Sequence, residues 1–307
     1  CHSRNQYVLD FSKSEVVDYI YGQMRKILTE APVSYIKWDM NRAFSEVFSN
    51  GNDRAYQGKV RHNYILGVYS LYERLIQEFP DVLFESCASG GARFDPGMLH
   101  YAPQAWTSDD TDAVERIKIQ YGTSYVYPLS SMGSHVSASP NHQIFRSTSL
   151  ETRGNVAYFG TFGYELDITK LTEKELEQMK EQITFMKQHR DLIQKGEFYR
   201  LESPFKGNQA AWEVVAKDGS EGLMAYFRVR QPIQGKLERI YFSGLEETKA
   251  YEVRECFGEK TDFGVHYGDE LMYVGFSVSD CSSGLVGVAR TGQGDGYSRL
   301  FHFRKVN

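Results

Sequence analysis

Apolar positions over roughly the first two hundred residues switch repeatedly between two spacings, short β-like runs and stretches of helical period. Tyr7-Val8-Leu9-Asp10-Phe11 reads as a buried strand, followed by Ser12 and Glu15 as a capping box. That box opens a helix with apolar positions at Val16, Ile20, Met24 and Ile27. Ser34-Tyr35-Ile36-Lys37-Trp38-Asp39 is the next strand, and Val60, Tyr64, Val68, Leu71 and Leu75 share one face of a second helix. Asp81 to Cys87 reads as a third strand and Gln104 to Ser108 as a fourth, with further strands near Val126–Leu129 and Ala157–Gly160. A helix from Thr172 to His189 opens on Thr172 and Glu175 as another capping box.

Repeated β-then-α order implies a parallel sheet. Polar clusters recur just past the strand ends, as at the C-terminal face of a (β/α)8 barrel, although only about six strands are counted. After Gly196 the pattern changes. Short alternating runs at Ala211–Ala216, Gly222–Arg228 and Lys249–Arg254 are split by Asp218-Gly219, Ser243-Gly244 and a Gly-rich stretch from Gly284 to Gly296. These predict an antiparallel β-domain. The expected organisation is therefore a barrel part over residues 1–196 and a β-domain over residues 197–307.

Composition narrows the class. The 307 residues are 41% hydrophobic and 24% charged, enough for a substantial core. A formal net charge of -5 provides no footprint for nucleic acid or an anionic membrane. No apolar stretch approaches the roughly 18–20 residues needed to span a bilayer. Aromatic residues make up 14% of the chain; their rings suit the flat C–H faces of sugars, but a dense core uses them more often. Cys1, Cys87, Cys256 and Cys281 lack metal-ligand spacing, so neither a zinc site nor a disulfide framework is expected. A reducing, cytoplasmic setting is the simpler reading. The opening Cys-His-Ser-Arg-Asn-Gln is no signal peptide, and the missing initiator Met implies a start inside a longer protein.

Three clusters carry candidate chemistry. In Lys37-Trp38-Asp39-Met40-Asn41-Arg42, residues two apart on a strand share a face. Lys37 and Asp39 then point together into the barrel mouth while Trp38 faces the helices. A nearby ammonium favours an ionised carboxylate, as a nucleophile requires; a structural Lys–Asp pair is the alternative. In Glu85-Ser86-Cys87-Ala88-Ser89-Gly90-Gly91-Ala92-Arg93-Phe94-Asp95, a strand runs into glycines whose backbone can approach a ligand closely. A plain tight turn and a buried core thiol at Cys87 are the bland readings. No Walker or dinucleotide fingerprint is present, which argues against an oxidoreductase. In Trp106-Thr107-Ser108-Asp109-Asp110-Thr111-Asp112, one acid caps a helix while crowding suits another to proton donation.

Taken in this order on consecutive strands, the clusters resemble glycoside hydrolase family 36, the bacterial and plant α-galactosidases. The resemblance begins at Arg4-Asn5-Gln6-Tyr7-Val8-Leu9-Asp10 and continues through Gly133-Ser134-His135-Val136-Ser137 and Pro140-Asn141-His142-Gln143. It implies a TIM barrel entered at about strand three and followed by an antiparallel β-sandwich. It implies Asp39 as nucleophile and Asp109 as acid/base, with Arg4 and Lys37 on galactose hydroxyls. Cys87 and the backbone at Gly90 match positions near the 2-hydroxyl, with Trp106 and His135 nearby. The implied reaction is retaining hydrolysis of terminal α-1,6-linked galactose from melibiose or raffinose, without metal or organic cofactor. Galactosyl transfer to a sugar acceptor and an inactive fragment are the alternatives. The partner implied is an α-galactoside oligosaccharide, with a tetramer as the complete enzyme's assembly.

Overall fold

β and α elements alternate up to residue 195 in the computed structural model, which describes residues 5–42, 44–232, 239–258, 260–278 and 294–306. The chain divides into two units, Cys1–Asp109 and Asp110–Asn307. The first contains α1 (Ser14–Glu30), β1 (Tyr35–Asp39), α2 (Arg54–Gln57), α3 (Val60–Glu78), β2 (Leu83–Cys87), α4 (Pro96–Tyr101) and β3 (Gln104–Trp106). β1 pairs in parallel with β2 from Tyr35 opposite Leu83 to Asp39 opposite Cys87. β2 pairs in parallel with β3 through Glu85 opposite Gln104 and Ser86 opposite Ala105. The outward side chains Ile36, Trp38 and Phe84 join Val17, Tyr64, Val68, Leu71, Tyr72 and Leu75 from α1 and α3 in one core. Trp38 and Tyr72 meet as tilted rings with centroids 4.6 Å apart, so Trp38 faces the helices as its alternation predicts.

Two readings of this unit change. Tyr7–Phe11 forms no strand: Tyr7 is 77% and Leu9 52% exposed, and the Phe11 N–H turns back to the Leu9 carbonyl at 3.0 Å. Ser12 opens no capping box either, because its hydroxyl donates to Asp10. The helix begins at Ser14, behind Lys13, and its inward face rotates by one position. Val17, Ile20, Tyr21, Met24 and Leu28 pack inward, whereas Ile27 is 58% exposed.

The second unit contains α5 (Ala113–Thr123), β4 (Met132–Ser137), α6 (Leu150–Ala157), β5 (Thr161–Glu165) and α7 (Glu173–Lys195). β4 and β5 are parallel, from Gly133 opposite Thr161 to Ser137 opposite Glu165. Both strands lie further along than their apolar runs implied. Tyr125 and Val126 are exposed beyond α5, Leu129–Ser131 forms a 3-10 turn, and Ala157 ends a helix. Thr172 and Glu175 make the expected reciprocal cap on α7.

Antiparallel strands follow: β6 (Glu197–Glu202), β7 (Gln209–Val215), β8 (Glu221–Arg228), β9 (Arg239–Ile240), β10 (Ala250–Glu255), β11 (Asp262–Tyr267), β12 (Phe276–Ser277) and β13 (Tyr297–Lys305). Six form a sheet ordered β11-β10-β13-β8-β7-β6, and β9 pairs with β12. Ile240, Phe242 and Phe276 close over Tyr226, Phe301 and Phe303 of the larger sheet, producing the sandwich core. On the other side of that sheet, Trp212 meets Phe159 at 5.7 Å. A buried chain of hydrogen bonds, Asn155 to Ser298 at 3.0 Å and Ser298 to Thr152 at 3.1 Å, ties α6 to β13. Most of the Gly-rich stretch, 284–293, lies outside the described residues. Among the described residues no helix is long and apolar enough to cross a membrane.

The rotated face of α1 sets a test. Leu71→Ala, at a site with no solvent exposure, should cost about 2–5 kcal/mol in urea unfolding. Ile27→Ala should stay within about 0.5 kcal/mol. Comparable losses would return Ile27 to the buried face.

Candidate active site

Because β1, β2 and β3 run in parallel register, their inward side chains line up in rows. Lys37, Glu85 and Gln104 form one row. Asp39 and Cys87 form the next, nearer the C-terminal ends, with Trp106 one residue beyond the last paired position of β3. The backbone closes around the upper row. Met40 N–H donates to the Cys87 carbonyl at 2.9 Å, and Arg93 donates to the carbonyls of Trp38 at 3.1 Å and Cys87 at 3.0 Å.

Asp39 is held from two sides. Asn41 Nδ2 donates to its Oδ2 at 2.7 Å, and the Cys87 thiol donates to the same carboxylate. The Asn41 amide is itself oriented, since its Oδ1 accepts from Ser89 N–H at 3.2 Å and Ser89 Oγ at 3.3 Å. Burial pushes the Cys87 thiol up to about 11; the Gly90 backbone opposes the rise and the bond to Asp39 adds to it. Cys87 therefore stands as a donor rather than a thiolate at neutral pH. Neither Asn41 nor Ser89 was singled out in the sequence, although their polarity beside a strand end was a usable signal.

Lys37 forms its ion pair with Glu85 at 3.7 Å and lies 4.8 Å over the Trp106 ring. The partner expected from strand spacing was Asp39. The register explains the outcome: a directly opposed residue on the neighbouring strand lies closer than one two positions along the same strand.

Gly90 has φ +83°, and a Cβ there would lie 2.7 Å from Ser108 Cα and 3.0 Å from Asp109 N. At Gly91 a Cβ would come within 2.9 Å of the Thr107 carbonyl. The glycines are thus required where the loop after β2 packs on residues 107–109, a protein-to-protein approach where the sequence allowed one to a ligand. Asp109 is exposed beside this loop. The neighbouring acids take structural roles. Asp112 caps α5 through the N–H groups of Val114 at 3.1 Å and Glu115 at 3.0 Å and pairs with Arg146. Asp110 accepts from Asp112 N–H at 3.0 Å.

A cavity of about 410 Å³ lies between β1 and the elements that cover it, lined by Leu9, Phe11, Ile20, Met24, Tyr64 and Val68 as well as by Lys37, Asp39 and Asn41; Cys87, Trp106 and Asp109 do not line it. Arg4 lies outside the described residues. His135, in the second unit, interacts with Glu165 at 3.3 Å. Among the described residues no three His, Cys, Asp or Glu side chains are grouped to hold a metal ion.

Polar side chains gathered at the C-terminal ends of parallel strands are the architecture of a barrel enzyme. Comparison with known proteins narrows that class to the glycoside hydrolases. The Melibiase family matches residues 1–196, and the glycosyl hydrolase family 36 C-terminal domain matches residues 209–303. The chain is 52% identical to alpha-galactosidase AgaA of Geobacillus stearothermophilus over 92% of its length, and 43% identical to Mel36A of Lactobacillus acidophilus over 100%. The crystal structure of AgaA superposes with a TM-score of 0.91 over 100% of this chain at 49% identity. The chain belongs to the family 36 α-galactosidases, and its fold is that of their TIM barrel and C-terminal β-domain. It spans 38% of AgaA and 40% of Mel36A.

The raised thiol makes a pH-dependent prediction. With its acid constant near 11, only about a thousandth of Cys87 is thiolate at pH 8. Iodoacetamide labelling mapped to Cys87 should be slow at pH 8 and rise about tenfold per pH unit towards 11. Asp39→Asn removes the charge opposing the thiolate, so it should accelerate labelling at pH 9 by roughly threefold. Fast labelling of the unaltered chain at pH 8 would contradict the buried donor.

Proposed function

We propose that this chain carries the catalytic carboxylates of a retaining α-galactosidase acting on terminal α-1,6-linked galactose in raffinose- and melibiose-type oligosaccharides. The observation carrying this reading is the packing of Gly90 and Gly91 on residues 107–109 beside the Asp39–Cys87 pair. It joins the ends of three consecutive strands, with Asp39 the last residue of one and Asp109 past another. The chain's 52% identity to AgaA, variants of which have been crystallised with raffinose and stachyose, supports the substrate class.

In this mechanism Asp39 is the nucleophile. Its carboxylate, oriented by Asn41 and the Cys87 thiol, attacks the anomeric carbon while Asp109 protonates the departing oxygen. A covalent galactosyl-enzyme forms with the anomer inverted. Asp109 then takes a proton from water, which attacks the same carbon, inverts it again and releases Asp39. Lys37 and Arg4 bind galactose hydroxyls, Cys87 and the Gly90 backbone meet the 2-hydroxyl, and Trp106 supports the Lys37 side chain. The catalytic part is residues 1–196 and the β-domain residues 197–307. Cys87 and Cys256, both free thiols, suit the reducing cytoplasm, and the complete enzyme is taken to assemble as a tetramer.

Chemical rescue in the intact enzyme separates the two acids. Asp39→Gly should lose at least about 10³-fold in kcat and recover with azide, yielding β-galactosyl azide. Asp109→Gly should lose about 10²–10⁴-fold on substrates whose leaving group needs a proton and yield α-galactosyl azide. NMR of the products decides the matter, because swapped anomers would exchange the assigned roles. In a sugar-bound structure the carboxyl groups should be about 5–5.5 Å apart, as retention requires, and not about 6.5–9.5 Å.

A further inference from the structure

We propose that Glu85 is a positioning residue for the Lys37 ammonium, which rests on the reading of Lys37 as a galactose ligand. Glu85 is 2% exposed and opposes Lys37 directly in the parallel ladder. Its two oxygens are used differently. Oε2 accepts from the Tyr35 hydroxyl and from Gln104 Nε2 at 3.0 Å, and Gln104 Nε2 also lies 3.1 Å from the Tyr35 oxygen. Burial and then the bond to Glu85 push the Tyr35 phenol well above its ordinary range, so Tyr35 remains a donor. Oε1 makes no hydrogen bond and lies 3.7 Å from Lys37 Nζ. A donor on each neighbouring strand therefore anchors one carboxylate oxygen and aims the other at Lys37.

On its other side the ammonium meets the Trp106 ring at 4.8 Å. A lysine has three donors and a flexible four-carbon stem, so an unheld ammonium would sample many directions. Carboxylate and ring restrict it and leave the remaining N–H bonds for sugar hydroxyls. The arrangement also separates two charges that would otherwise compete. With Glu85 as counter-ion, Lys37 need not neutralise Asp39, which is served by Asn41 and Cys87 instead.

Glu85→Gln keeps the shape and removes the charge. In the intact enzyme it should lower kcat/KM for p-nitrophenyl α-galactoside at least tenfold, and in a Lys37→Met background it should lower it no further. Equal losses in both backgrounds, or none, would overturn the proposal, since a merely structural carboxylate acts independently of Lys37. A second readout needs no activity: acetic anhydride labelling of this chain, mapped by mass spectrometry against exposed Lys206. Labelling of Lys37 should rise at least threefold in the Glu85→Gln variant as the side chain leaves its two anchors, and an unchanged rate would sink the positioning role. Raised labelling in a protein that cleaves no α-galactoside would retire the function but leave the Glu85–Lys37 coupling standing. If Glu85→Gln fails to fold, Tyr35→Phe removes one anchor of Oε2. It should raise Lys37 labelling about twofold, and no change there overturns the proposal.

Discussion

Everything at the candidate site depends on the parallel register of β1, β2 and β3. A strand has a side-chain period of two, so a one-residue slip would exchange the two faces of the sheet. The register found sets Ile36, Trp38 and Phe84 against α1 and α3, and Lys37, Asp39, Glu85 and Cys87 on the opposite face. The outward face supplies the driving force. Each large apolar side chain buried there contributes about 1.5–3 kcal/mol. Slipping β1 by one position would expose that surface and bury Lys37 and Asp39 among helix side chains. The packing of Trp38 on Tyr72 is therefore part of what aims Asp39.

The inward face is stabilised differently. A carboxylate as buried as Glu85 would cost several kcal/mol if left alone, more than one aromatic contact returns. Donors from β1 and β3 and the Lys37 ammonium offset that cost. The polar layer is tolerable only when all three strands are in place, so the same contacts that satisfy it also report correct assembly. A mispaired β3 would remove Gln104 from Glu85 and Trp106 from Lys37 together.

Most of this was legible where period and chemistry agree. The apolar face of α3 was read position by position, because Val60, Tyr64, Val68, Leu71 and Leu75 are all buried. The cap at Thr172 was also plain, since its reciprocal bonds are local. Readings failed where a distant partner decided the outcome. Ser12 matched a capping box, but Asp10 takes its hydroxyl and is itself held by Ser49, a residue 39 positions away. Val126–Leu129 was apolar enough for a strand, but Val126 lies exposed in the connection after α5 and Leu129 is buried at the start of a 3-10 turn. At the candidate site, Asp39, Cys87 and Asp109 stood out as polar residues at or just past strand ends, and Lys37 as a charge two positions before Asp39 on one face. Glu85 did not, because its role depends on lying opposite Lys37, and cross-strand register is not written in either strand alone.

The run Trp106–Asp112 illustrates how backbone geometry sorts chemically equivalent residues. Three aspartates in four positions are indistinguishable by composition. Asp112 sits at the extended N-cap of α5, where two orphan N–H groups bind its Oδ2, and Arg146 pairs with the same oxygen. Asp110 is drawn towards the N–H of Asp112. Asp109 precedes the cap and follows the stretch on which Gly90 and Gly91 pack, so its backbone is fixed while its side chain stays exposed. Any residue other than glycine at position 90 would meet both a positive φ and a backbone contact of 2.7 Å, and relief would have to come from moving residues 108 and 109. The loop after one strand thus controls where the acid after the next strand can stand. A barrel can in this way fix two carboxylates on different strands without any direct bond between them.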